Sequence, residues 1–234
     1  FEQFAEQADG IKRIGVLRAD VDNLGTTFVY GFQRKNGDGK YTTLSRTATL
    51  SRQLSLFFKC YINELLKKEE RKVAIVYSGG DDVFLVGAWN DVIAACVDLK
   101  NALECFTEGT LTISGGIGIY PSKYPVNIMA KEVERLEDHS KAMNGKNAIT
   151  IFDENHGYPW DEFENKVLNE KLSAIKEYFV EEDERGMAFL YHLVELLRNT
   201  EEKINTARYV YLLSRMEPEK DENGKRDYFT HFGR

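Results

Sequence analysis

Val73-Ala-Ile-Val-Tyr-Ser78, then Gly79-Gly80-Asp81-Asp82, then Val83-Phe-Leu-Val-Gly87 is the stretch that decides the fold. It reads as two short apolar strands joined by a tight turn, because Val, Ile, Tyr and Phe favour a buried pleated surface. The paired glycines allow positive φ and leave no side chain above the turn. Two adjacent carboxylates then sit where the chain reverses. Side-by-side like charges at the edge of a core are unfavourable unless a cation neutralises them, and hard divalent cations such as Mg²⁺ suit carboxylate oxygens. Gly-Gly-Asp-Asp alone would serve equally as a solvated hairpin turn. A second acidic cluster weighs against that reading.

That cluster ends an earlier strand. Arg13-Ile-Gly-Val-Leu-Arg-Ala19 leads into Asp20-Val-Asp22-Asn23-Leu-Gly25. On an extended chain Asp20 and Asp22 share a face, and Gly25 lets the chain turn. The plain alternative is a polar strand end running into an Asx-turn. If this strand lies beside the Gly-Gly-Asp-Asp hairpin, three or four carboxylates converge, which calls for bound cations.

The rest of the chain supplies that neighbourhood. Residues 1–10 read as a lead-in and residues 33–43 as a polar loop. Apolar residues from Leu50 to Leu66 fall at helical spacing between about Arg46 and Glu70. Asn90 reads as the N-cap of a helix running to about Phe106, with Val92, Ile93, Val97, Leu103 and Phe106 as its core face. A glycine-rich strand, Leu111–Tyr120, a helix from Val126 to Met143 and a strand from Asn147 to Phe152 follow. Strand, helix, strand, strand, helix, strand plus an added helix–strand unit is the split βαβ, ferredoxin-like pattern. In it the first strand and the hairpin are neighbours, so the fold class expected is α+β. Between the last helix and strand, Lys141-Ala-Met-Asn-Gly145-Lys146-Asn147 offers two lysines around a glycine, suited to a polyphosphate or simply to a solvated helix end.

After Asp153 the character changes. Asn155-His-Gly-Tyr-Pro159 reads as a linker, followed by helical patterns at about 160–179, 185–200 and 201–216. The expected division is a domain over 1–154 and a small all-α domain over 155–234.

The chain has 234 residues, with 31 basic against 38 acidic residues and a net charge of −7. That balance argues against bulk non-specific nucleic-acid binding by this piece. No apolar run reaches the length of a membrane span. Three cysteines without C-x-x-C spacing fit neither a disulfide framework nor a zinc site, and suit a reducing cytoplasm. The chain opens on Phe1 without Met, as a fragment of something longer would. The four histidines are scattered with no His-Asp dyad, so a metal-dependent nuclease of that type is not expected within it.

Taken together, Ile14–Gly25, Leu50–Phe58, Tyr77–Phe84, Val86–Trp89 and Lys146–Phe152 resemble the large subunit of type III-A CRISPR effector complexes. The resemblance covers most of residues 1–152, and the helical remainder looks like that family's C-terminal domain. It implies the second of two palm domains, related to polymerase palms and diguanylate cyclases. It implies synthesis of cyclic oligoadenylates from ATP with Mg²⁺ or Mn²⁺ when the complex, with its other subunits and guide RNA, binds target RNA. Asp20, Asp81 and Asp82 match metal-binding catalytic carboxylates. Ser78, Gly79 and Gly80 match the nucleotide-facing turn, Asn23 a position near the ribose, and Lys146 one near the triphosphate. The family's nuclease domain and first palm are not in this sequence, so half of a composite ATP site is expected to lie elsewhere. The competing readings are a diguanylate-cyclase-like enzyme using GTP, whose turn usually carries Glu-Phe after an acidic residue, and a non-catalytic scaffold palm.

Overall fold

The computed structural model describes residues 1–33, 41–176 and 187–198, with the single positions 205, 207, 208, 210 and 211. It divides into two compact units, Phe1–Phe163 and Glu164–Arg234.

The first unit is one mixed sheet of six strands. They are β1 (Ile14–Val21), β2 (Val73–Ser78), β3 (Asp82–Ala88), β4 (Ile113–Tyr120), β5 (Ala148–Ile151) and β6 (Gly157–Pro159), in spatial order β2-β3-β1-β4-β5-β6. The first four have the ferredoxin-like order, all neighbours antiparallel, and β5 joins parallel to β4 as the added unit. Strand periodicity sorts the two faces of β1. A Cβ on Gly15 would meet Trp89 and Val92 of helix α5 (Trp89–Thr107). Ile14 and Val16 instead pack with Met129 and Val133 of helix α6 (Val126–Ala142). The sheet is therefore covered on both sides, and even-numbered residues of β1 face α6.

Local chemistry explains several departures from the sequence expectations. The lead-in contains a short helix, α1 (Glu2–Glu6), anchored by buried Ala5. Between β1 and β2 lie α2 (Leu24–Tyr30), α3 (Leu44–Leu56) and α4 (Ile62–Lys68); a π-turn, Phe57–Tyr61, joins the last two. That turn buries Phe57 and Phe58, while Tyr61, expected in the core, is exposed and stacks on Phe57. Phe106 is likewise exposed, with its ring 5.0 Å from Phe57. Asn90 does not cap α5, which starts after Ala88; its side chain exchanges hydrogen bonds with Asp9. The expected linker is instead an edge strand. β6 pairs with β5, and Trp160 behind it is buried, its indole donating to the Ile113 carbonyl at 2.8 Å. The compact unit thus continues past residue 154 to Phe163.

In the second unit the described residues are helical. A π-helical run, Phe163–Leu172, leads to α8 (Ser173–Lys176), preceded by the single turn α7 (Trp160–Glu162) in the first unit; α9 spans Met187–Arg198. Most of the loop expected at 33–43, most of the helix expected at 201–216 and the stretches 217–226 and 228–234 lie outside the described residues.

Candidate functional site

The two acidic clusters meet. Asp20 on β1 is the direct register partner of Asp82, the first residue of β3. Directly opposed residues of an antiparallel pair share a face, so both carboxylates lie on the α6 side. Asp81 precedes them on the turn, where its carbonyl accepts the Val21 amide at 3.1 Å. Burial pushes the Asp81 carboxyl above its usual range, and the charges of Asp20 and Asp82 push it further.

Helix α6 supplies the countercharge. Lys141 pairs with Asp20 and, at 2.6 Å, with Glu137 one turn earlier. Glu137 is only 3% exposed, and its second oxygen receives Arg18 Nε at 2.8 Å. Burial raises Glu137 despite the hydrogen bond from Lys141 and the charge of Arg18. Burial lowers Lys141, but its bonds to Asp20 and Glu137 outweigh that and leave it raised, firmly an ammonium. The sequence reading gave Lys141 a general positive role and passed over Arg18 and Glu137. The Glu137–Lys141 spacing of one helical turn was the available signal.

Asp22 does not join the other carboxylates. β1 ends at Val21, so strand alternation no longer governs its side chain. The carboxylate is 4% exposed, and its Oδ2 accepts from Thr112 Oγ1 at 2.8 Å and from the Asn147 amide at 3.1 Å. Its Oδ1 has no hydrogen-bond partner among the described residues. Next to it, Asn23 takes a left-handed backbone (φ 54°), and its Oδ1 receives Lys146 Nζ at 2.8 Å. Asn23 makes the turn expected of Gly25, which is helical and does not take positive φ. Lys146 therefore stands beside Asn23, while Lys141 is the lysine on the carboxylates.

The glycine turn works by space. Neither Gly79 nor Gly80 takes positive φ. A Cβ on Gly79 would collide with the Tyr77 hydroxyl and come within 2.6 Å of Asp82 Oδ1, whereas Gly80 has nothing within 4 Å. The Tyr77 phenol hydrogen-bonds Asp82 and is raised mainly by that bond. The Ser78 hydroxyl donates to the Phe58 carbonyl in the π-turn at 2.6 Å, tying the hairpin to the helix behind it.

Among the described residues no group of three or more His, Cys, Asp or Glu that could hold a metal ion is assembled. The donor chemistry nonetheless fits a hard cation. Asp20, Asp81 and Asp82 supply only carboxylate oxygens, and Asp20 and Asp82 are direct register partners with Asp81 next in the chain. The Lys141 ammonium on Asp20 marks a place that accepts positive charge. A His–Asp contact does form, His156 to Asp153 at 2.9 Å, on the exposed turn after β5.

The family model of the Cas10/Cmr2 second palm domain matches residues 13–150. The model of the second helical domain of the CRISPR RNA silencing complex Cmr2 subunit matches residues 176–233. A curated relative from Mycobacterium tuberculosis, the single-strand-specific deoxyribonuclease Cas10/Csm1 of subtype III-A, is 48% identical over 228 residues. The same-named protein of Streptococcus thermophilus is 45% identical over 229 residues. These matches cover 92% and 97% of this chain but 28% and 30% of the relatives. The structure of Csm1 from T. onnurineus aligns over 92% of this chain and 33% of its own, with a TM-score of 0.70 at 25% identity. A Csm1–Csm4 cassette in complex with one ATP covers 94% and 33%, with a TM-score of 0.67 at 26% identity. One in complex with cA3 covers 90% and 32%, with a TM-score of 0.68 at 25% identity.

Proposed function

The chain belongs to the family of the Cas10/Cmr2 second palm domain, in its Cas10/Csm1 subtype III-A branch, and from that premise we propose that it is the catalytic palm of a CRISPR effector large subunit. Its reaction is the joining of ATP into cyclic oligoadenylates, switched on when the complex recognises target RNA. The observation that carries this reading is Asp20 facing Asp82 across β1 and β3, with Asp81, raised by burial and by both of their charges, on the adjoining turn. That cluster is costly for a scaffold to keep. The ATP and cA3 held by solved relatives support the choice of adenine nucleotides.

The reaction joins a ribose 3′-hydroxyl to an α-phosphate and releases pyrophosphate. Mg²⁺ or Mn²⁺ held by Asp20, Asp81 and Asp82 would supply activation of the attacking oxygen and stabilisation of the leaving group. The chain's own residues then have to position the nucleotide. Gly79 and Gly80 keep the turn open to it, with Ser78 bracing the turn from behind. In this reading Asn23 serves the ribose, and Lys146, bonded to Asn23, and Lys141, paired with Asp20, serve the phosphates. The absence of a histidine from the two acidic strand tips suits attack that needs no imidazole base. In the cell this palm would work in the cytoplasm, with the other subunits of the complex and its guide RNA. Among the described residues no helix is long and apolar enough to cross a membrane.

The deoxyribonuclease activity in the relatives' name belongs to proteins of which this chain spans 28–30%. The direct test of our reading is product analysis. The full-length subunit carrying this palm, in its complex with target RNA, should convert ATP to cyclic oligoadenylates with Mn²⁺. Asp81→Ala with Asp82→Ala should abolish the product. GTP as the preferred substrate would overturn the reading in favour of a diguanylate-cyclase-like enzyme.

A further inference from the structure

Asp22 is a buried carboxylate that the proposed chemistry does not use. It stands between three segments distant in sequence. Its amide donates to the Thr112 carbonyl and its Oδ2 accepts the Thr112 hydroxyl, which fixes the end of β1 to the start of β4. The same oxygen accepts the Asn147 amide. Asn147 and Lys146 are both left-handed, at φ 49° and 53°, a conformation that non-glycine residues hold only when surroundings fix it. Asn147 is gripped on its other side as well, its carbonyl accepting the Trp160 amide at 3.1 Å. Lys146 thus projects from a loop clamped by Asp22 and Trp160, and its ammonium lands on Asn23, the residue next to Asp22.

We propose that Asp22 is a positioning residue: by holding the Asn147 amide it sets where the Lys146 ammonium meets the triphosphate of a nucleotide bound at the acidic strand tips. This rests on the nucleotide reading given above. It separates the two acidic residues of the Asp-Val-Asp stretch into different roles. Asp20 faces the reaction, while Asp22 acts through hydrogen bonds and never touches the nucleotide. Its value therefore lies in its acceptor oxygen and not in its charge, because the groups it binds are an amide and a hydroxyl.

The test is calorimetric binding of ATP and of adenosine to the full-length subunit carrying this palm, with Mn²⁺, for the parent, Asp22→Ala, Asp22→Asn, Lys146→Ala and the Asp22→Ala/Lys146→Ala pair. Melting curves and hydrogen exchange at the Asn147 amide are recorded on each. Asp22→Ala should speed exchange at Asn147 and weaken ATP by about tenfold, as loss of a charge-assisted phosphate contact does, while adenosine changes little. The double variant should bind ATP as Lys146→Ala alone does, because two residues acting through one contact are not additive. Asp22→Asn keeps an acceptor and should retain most of the preference for ATP. Additive losses, or a loss in Asp22→Asn equal to that in Asp22→Ala, would overturn the positioning role and assign Asp22 to charge or metal binding. A parent subunit with no preference for ATP over adenosine would overturn the nucleotide reading and this inference together.

Discussion

Lys141 on α6 is held between Asp20 and Glu137, so the acidic strand tips are joined to an ion network built on buried Glu137 that continues to Arg18. Asp20 and Arg18 are two apart on β1 and so lie on the face that α6 covers. Glu137 is the hub of this network: each of its oxygens takes one cation.

Glu137→Ala should therefore be costly. It removes the one buried member of the network, while Arg18 keeps Glu134 and Lys141 keeps Asp20, so a loss of about 1–3 kcal/mol is the ordinary scale. Glu137→Gln keeps the packing but turns one of the two acceptor oxygens into an N–H donor facing Arg18 or Lys141, so it should lose less than the alanine variant without matching the parent. Urea unfolding of both variants checks this. Equal losses would show that charge, and not occupancy of the site, holds the network.

The two turn glycines should separate cleanly. Gly79→Ala drives a methyl into the Tyr77 hydroxyl and toward Asp82, the ends of two side chains that must swing aside, so it should lose about 1 kcal/mol more than Gly80→Ala. Gly80→Ala meets nothing within 4 Å and takes no positive φ, so it should stay within about 1 kcal/mol of the parent. Thermal melts of the pair decide it; a larger loss for Gly80→Ala would contradict the packing account of the turn.

Asp153 gives a pH signature away from the site. The Asn155 amide, with His156 beside it, holds its carboxyl below the usual range. A lowered carboxyl contributes stability that is present above the ordinary carboxylate pKa and is lost as pH falls through the lowered one. Asp153→Asn should therefore melt below the parent at neutral pH, with the difference closing in acid. A gap that widens on acidification would reverse the sign and refute the assignment.

The strands and their order were legible because apolar alternation and the βαββαβ sequence are local signals. Placing Asp20 beside the Asp81–Asp82 hairpin followed from that order alone. What escaped was set by contacts distant in sequence. Asp22 shares the i, i+2 spacing with Asp20, yet β1 ends between them, and only Thr112 and Asn147 decide where its carboxylate goes. Gly157-Tyr-Pro159 has the composition of a linker, and pairing with β5 makes it a strand. Asn90 has the residue type of a cap but is claimed by Asp9, far earlier in the chain. The positive φ allowed for at Gly79 and Gly80 falls instead on Asn23, Lys146 and Asn147, where side-chain hydrogen bonds hold it.

The central claim is that Asp20, Asp81 and Asp82 form a site for a divalent cation and ATP. Its most direct test is a thermal shift of the full-length subunit carrying this palm with Mn²⁺, with and without ATP, beside Asp81→Ala/Asp82→Ala. A ligand that binds only the native state raises Tm with its concentration. The account predicts a Mn²⁺-dependent rise with ATP that the double variant loses while keeping its fold. An equal rise in the double variant, or no rise in the parent, would contradict it.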